Sequence, residues 1–200
     1  MADPSTSILG LIEARRGHFL LESGLHGGLW LDLDQLFVRP ATLKPFIMTL
    51  AELLRPFNVD AVCGPMLGGA FVAQMMAGEL ACEFWFTHKT PTTTSAAELY
   101  SARYHLPPPL AQRVRGKRVA IVDDAMSAGS SLRATYTALK ECGAQVAVVG
   151  ALLVLGVRGL DFFEQEGVPV VSVASDAYDF WSPADCPACR AGMPLERLSA

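Results

Sequence analysis

The stretch Val146 to Val157, VAVVGALLVLGV, sets the narrowest limit on what this chain can fold into. Every residue in it is apolar or glycine, so a surface strand with one wet face is excluded. A membrane-spanning helix needs roughly 20 apolar residues. This run is shorter, rich in β-branched side chains and interrupted by Gly150 and Gly156. A strand buried on both faces of a parallel sheet fits it. The mean hydropathy of +0.30 then reflects a sheet covered on both sides rather than a bilayer.

With 200 residues, 51% of them hydrophobic and 18% charged, the chain suits one domain and is no disordered segment. Its net charge of −4 argues against a surface built to grip nucleic acid. A small anionic substrate stays compatible, because a few local donors outweigh a weak overall charge. The start, MADPSTSILG, lacks the basic head and apolar centre of a signal peptide. Five cysteines, an odd and scattered set, give no disulfide framework and fit a reducing cytoplasm.

Ser5 to Arg16 is expected to begin a helix, with Ser5 or Ser7 as N-cap. Phe19–Leu21 and Leu29–Leu33 are short strands around the glycine-rich SGLHGG turn, and Pro40 opens a helix through Leu54. From there strand, turn and helix alternate. Strands are expected at 60–63, 83–87, 118–122, 145–155 and 168–173, with a turn at 123–130. Helices are expected at 70–80, 131–142 and near 160–166. Lys89 to Arg103 is irregular and polar, and the Pro107-Pro108-Pro109 run ends it. Such alternation predicts an α/β fold with a doubly wound parallel sheet, whose ligands sit beyond the carboxyl ends of the strands.

The most informative segment is VAIVDDAMSAGSSL, Val119 to Leu132. A buried strand delivers Asp123 and Asp124, and small residues follow at Ser127, Ala128, Gly129, Ser130 and Ser131. Backbone N–H groups can converge there on a phosphate, helped by the helix start behind them. Two aspartates beside a phosphate make sense only if they face sugar hydroxyls or a metal ion. A lone acidic pair after a strand is usually a solvated turn; the surrounding segment reverses that.

VAIVDDAMSAGSS resembles the phosphoribosyl pyrophosphate (PRPP) signature of type I phosphoribosyltransferases. The P-loop pattern GxxxxGK[ST] occurs nowhere in the chain. CGPMLGG, Cys63 to Gly69, occupies the place of that family's pyrophosphate loop. FLLESGLHGGLWLDLD, Phe19 to Asp34, is similar to the hood of the orotate branch. The resemblance spans roughly residues 17–175 and implies a single domain, 1–200, with a small N-terminal hood (1–40), a core (41–175) and a C-terminal tail (176–200).

Carried over residue by residue, Asp123 and Asp124 would bind the ribose hydroxyls of PRPP, and Ser127, Ala128, Gly129, Ser130 and Ser131 its 5-phosphate. Met66, Leu67, Gly68 and Gly69 would hold the pyrophosphate. Leu25, His26 and Trp30 would face the base, and Lys89 would assist the leaving group. Mg2+ would be held mainly by PRPP, with no direct protein ligand. The implied reaction transfers the phosphoribosyl group to a nucleobase, orotate first among them. A dimer is expected, since the family's lid closes over the neighbouring subunit's pyrophosphate. The alternatives are a non-catalytic PRPP-sensing regulator on the same fold, or another acceptor base or amine.

Two departures stand out. The orotate branch carries a Lys-rich lid ending in His-Gly, whereas this chain reads FTHKTPTTTSAAELYSARYHLPPP. Lys89 matches the first lysine, but Thr92 stands three residues on, and only His88, Arg103 and His105 supply further basic groups. In the hood, Leu25-His26 replaces a more basic pair. The tail adds one CxxC, Cys186 and Cys189, half of the four ligands zinc takes. No second CxxC or HxxxH completes it, so two reduced thiols in a proline turn are expected. Trp181, Met193 and Leu195 are expected to dock this tail on the body or on a second subunit.

Overall fold

The computed structural model describes residues 8–90 and 99–197. Two sheets organise them. Strands β1 (Glu13–Leu20) and β2 (His26–Asp32) form an antiparallel hood, joined by β9 (Phe180–Trp181) from the tail. The second sheet holds β3 (Ala61–Pro65), β4 (Glu83–Lys89), β5 (Tyr104–His105), β6 (Arg118–Met126), β7 (Gln145–Leu155) and β8 (Val170–Asp176). Its order is β5-β4-β3-β6-β7-β8, parallel throughout except for β5, which pairs antiparallel with β4.

Helices cover both faces. On one side lie α1 (Pro40–Leu54) and α2 (Gly68–Leu80), and on the other α4 (Ser130–Glu141) and α5 (Arg158–Gln165). Two one-turn helices, α3 (Pro108–Ala111) and α6 (Pro187–Arg190), punctuate the loops. The two-residue period of a strand sends alternate side chains of β6 into separate cores. Ala120 and Val122 pack with Phe46, Ile47 and Leu50 of α1 and with Val72 and Met76 of α2. Val119 and Ile121 face the second core, with Leu132, Tyr136 and Leu139 of α4 and Phe163 of α5.

β7 is buried on both faces from Val148 to Leu155, as its composition requires. Gly150 sits where α1 closes on the sheet: a Cβ there would lie 3.3 Å from Leu50 Cδ1 and 3.4 Å from Val122 Cγ1. No helix among the described residues is long and apolar enough to cross a membrane.

Three expectations change. The helix predicted over 5–16 is confined, within the described residues, to Ile8 and Leu9, while Ser5 and Ser7 lie outside them. Glu13 to Arg16 instead pair with Leu29 to Asp32, because hydrogen bonding to β2 outweighs a weak local helix preference. The turn predicted at 123–130 begins later. β6 runs on to Met126, which pairs with Val154, so both aspartates are strand residues. Cys186 and Cys189 are not an isolated pair either, since the imidazoles of His18 and His26 meet them.

Leu152 is fully buried in the core beneath α1 and α2. Leu152→Ala is expected to lower unfolding stability by about 2–5 kcal/mol through lost contacts and the cavity left behind. A urea titration with an unchanged slope and an earlier midpoint would show it.

Candidate functional site

The parallel strands of the large sheet point their carboxyl ends the same way, and a cleft of about 960 Å³ opens there beneath the hood. Two loops build its floor. The first leaves β3 at Pro65, passes Met66 and Leu67, and enters α2 at Gly68. The second leaves β6 at Met126 and enters α4 through Gly129, whose φ of 74° is the left-handed conformation glycine tolerates. The first N–H groups of a helix have no partner within it, so α4 presents donors and the positive end of its dipole to the cleft. Ser127, Gly129, Ser130 and Ser131 line the cleft, whereas the Ala128 side chain is buried in the core.

Asp123 and Asp124 lie between these loops, both buried and both lining the cleft. Ser131 donates its hydroxyl to Asp123 Oδ2 at 2.8 Å, and the Ala125 N–H donates to Asp124 Oδ1 at 2.6 Å. The first loop approaches β6 so closely that only glycine fits. A Cβ on Gly68 would overlap Asp124 Oδ2, and one on Gly69 would lie 2.7 Å from Asp123 Oδ1. Burial pushes the Asp124 carboxyl up to about 6. Burial, with the Asp124 charge beside it, raises Asp123 well above the ordinary carboxylate range. The pair is therefore poised to take up a positively charged or hydroxyl-bearing ligand.

Most of the sequence-predicted residues converge here. Met66, Leu67, Gly68, Gly69, Lys89 and Trp30 all line the cleft. Lys89 Nζ is held by Glu22 Oε1 at 2.6 Å, and the Tyr104 hydroxyl donates to the same carboxylate at 3.2 Å. Leu25 and His26 do not line it. Leu25 is fully buried, and the His26 ring lies against His18 and Cys189. Of the predicted lid, Thr92 lies outside the described residues, while His88 and His105 are paired across β4 and β5. Sequence reasoning missed Glu22, Arg15, Tyr178, Phe180 and Arg197, all of which line the cleft. The last three come from the tail, which no local pattern ties to the hood.

A carboxyl group raised above its unfolded value favours the folded state only while protonated. For Asp124 that contribution is fully present below 3.8 and is lost as pH rises through about 6. Asp124→Asn is thus expected to be more stable than the parent at pH 7 by about 1–3 kcal/mol. The gain should shrink as pH falls through that window. Denaturant midpoints measured across pH 4–8 would check it, and a variant less stable at neutral pH would contradict the burial argument.

Comparison with known proteins agrees with this geometry. Residues 34–174 match the family model of the phosphoribosyl transferase domain. The orotate phosphoribosyltransferase of Thermotoga maritima is 30% identical, over 90% of this chain and 89% of its own. The Helicobacter pylori enzyme of the same name is 24% identical over 90% of each chain. The fold is shared with the orotate phosphoribosyltransferase of Aeropyrum pernix, at a TM-score of 0.64 and 24% identity, over 86% of this chain and 93% of that one. It is shared equally with the adenine phosphoribosyltransferase of Trypanosoma brucei, at 0.68 and 14% identity, over 86% and 79%. The family model covers 34–174, well over half of the 200 residues, and this chain belongs to the type I phosphoribosyltransferases, enzymes that transfer a pentosyl group.

Proposed function

We propose that the protein transfers the 5-phosphoribosyl group of PRPP to orotate, forming orotidine 5′-phosphate and pyrophosphate. The observation that carries this reading is the meeting of Asp123 and Asp124 with two glycine-rich loops in one cleft. The loop from Ser127 to Ser131 offers amides and hydroxyls to the 5-phosphate. In the Met66 to Gly69 loop, Leu67, Gly68 and Gly69 offer backbone N–H groups to the pyrophosphate, that of Met66 being donated to the Thr87 carbonyl. Asp123 and Asp124 meet the ribose hydroxyls, and a cationic ligand beside them draws both back to the ionised form. Displacement at the anomeric carbon builds positive charge on the ribose, which these desolvated carboxylates stabilise.

Magnesium fits this site because two buried carboxylates adjoin the place for the diphosphate. The ion would be held mainly by PRPP, near Asp123 and Asp124, and would neutralise the leaving group. Lys89 at the end of β4 adds a cation on the pyrophosphate side once it leaves Glu22. Trp30 and the apolar side chains of Leu21, Leu29 and Phe180 form the hood side of the cleft, where the planar base would lie. Orotate is favoured by the names of the relatives, and Arg197, with Arg15 once it leaves Glu196, would supply cations for its carboxylate. The working form is a cytoplasmic homodimer.

Pyrophosphate release with PRPP and Mg2+ should occur with orotate and not with adenine, uracil or hypoxanthine. Turnover of another base alone would replace the acceptor. PRPP binding by calorimetry without turnover of any base would establish a sensor instead. Asp124→Asn is expected to lower kcat/KM on the order of 10²-fold.

A further inference from the structure

The tail brings together a second set of polar side chains, and none of its four members lines the cleft. His18 lies on β1, His26 on β2, Cys186 at the start of α6 and Cys189 within it. His18 Nε2 and His26 Nδ1 are 3.0 Å apart. Cys186 Sγ lies 3.4 Å and Cys189 Sγ 3.6 Å from His18 Nε2, and Cys189 Sγ lies 3.2 Å from His26 Nδ1. All four ligand atoms fall within 4.8 Å of one another.

We propose that His18, His26, Cys186 and Cys189 form a structural Zn2+ site that fastens the tail to the hood. With the usual zinc–sulfur and zinc–nitrogen bond lengths, a regular tetrahedron spaces its ligand atoms roughly 3.3–3.8 Å apart. Four of the six spacings lie within a few tenths of an ångström of that, and the other two stay within 4.8 Å. Two nitrogens and two sulfurs in a tetrahedral set select zinc over the harder cations. The ligand atoms are also oriented from behind. His18 Nδ1 lies 3.0 Å from the Met193 carbonyl oxygen, which fixes its proton there and leaves the Nε2 lone pair facing the cluster.

Charge balance agrees. Zn2+ displaces the two thiol protons, and with two thiolates and two neutral imidazoles the centre carries no net charge. That suits its position, with His18 2%, His26 4% and Cys186 0% exposed and Cys189 closing the set from the surface. Without a metal, the four atoms would share two thiol protons and at most one imidazole proton, which are weak donors for a set with three buried members.

The site ties together segments far apart in sequence. β9 pairs with β2 at His26 and Trp181, and the Glu196 N–H donates to the His18 carbonyl at 2.7 Å. The same tail supplies Tyr178, Phe180 and Arg197 to the cleft. Zinc would hold the roof of the cleft without touching substrate.

The test is metal analysis of untagged protein purified without chelator under reducing conditions. About one zinc per chain is expected. Cys186→Ser and His26→Ala should each fall below about 0.1, while Cys142→Ser, remote from the cluster, should keep its zinc. Where a ligand variant fails to fold, Co2+ titration of the stripped parent decides. Tetrahedral visible bands with thiolate charge transfer, and release of about two protons per metal near neutral pH, are expected. Chelation should lower Tm by about 5 °C or more, reversed by zinc alone. Parent protein holding less than about 0.1 zinc, giving no such cobalt spectrum, or carrying a Cys186–Cys189 disulfide after reducing purification would overturn the proposal. None of these readouts depends on turnover, so they stand apart from the choice of base.

Discussion

The close approach of the β3–α2 loop to strand β6, with no room for a side chain between them, governs this molecule. Gly68 and Gly69 let the loop after β3 press against the Asp123 and Asp124 carboxylates of β6, and Gly64 lets that loop fold back against the Gly69 carbonyl. That contact depends on β3 and β6 being parallel neighbours, paired from Ala61–Val119 to Cys63–Ile121. Parallel pairing in turn requires crossover helices on both faces, and hence the two apolar cores. A side chain at Gly68 would therefore disturb the site while leaving the sheet intact.

The same packing explains why the site is unfavourable for the protein that carries it. Burial raises both carboxyls, and the two cannot ionise freely side by side. Free energy is stored at the aspartate pair and released when a ligand brings compensating charge and hydrogen bonds. Ser131 and the Ala125 N–H hold the carboxylates in place meanwhile. The large sheet, with β7 buried along most of its length, tolerates that local destabilisation.

What was legible in the sequence was what local patterns encode. The apolar run of β7, the small residues after β6 and the glycines after β3 each carry their meaning within a short stretch of chain. The misreadings were tertiary. Glu13 to Arg16 form a strand only because β2 lies beside them, and β6 extends past its aspartates only because β7 continues alongside. The Cys186–Cys189 pair looked incomplete because its partners are imidazoles 163 to 168 residues away, with no motif spacing to link them.

The hood shows why such distant pairings matter for function. It is a three-stranded sheet whose third strand has two residues, so little of the tail is held by strand pairing. Yet the tail places Phe180 and Arg197 at the cleft, opposite the carboxylates and loops that would hold the phosphoribosyl group. In the proposed reaction the phosphate side would be built on the parallel sheet, while the base side would rest on a small sheet that joins β1 and β2 to the tail. Backbone hydrogen bonds between Glu196 and both His18 and Leu20 add a second tie between tail and hood. The convergence of His18, His26, Cys186 and Cys189 occurs at the point where such a restraint acts on all three hood segments at once.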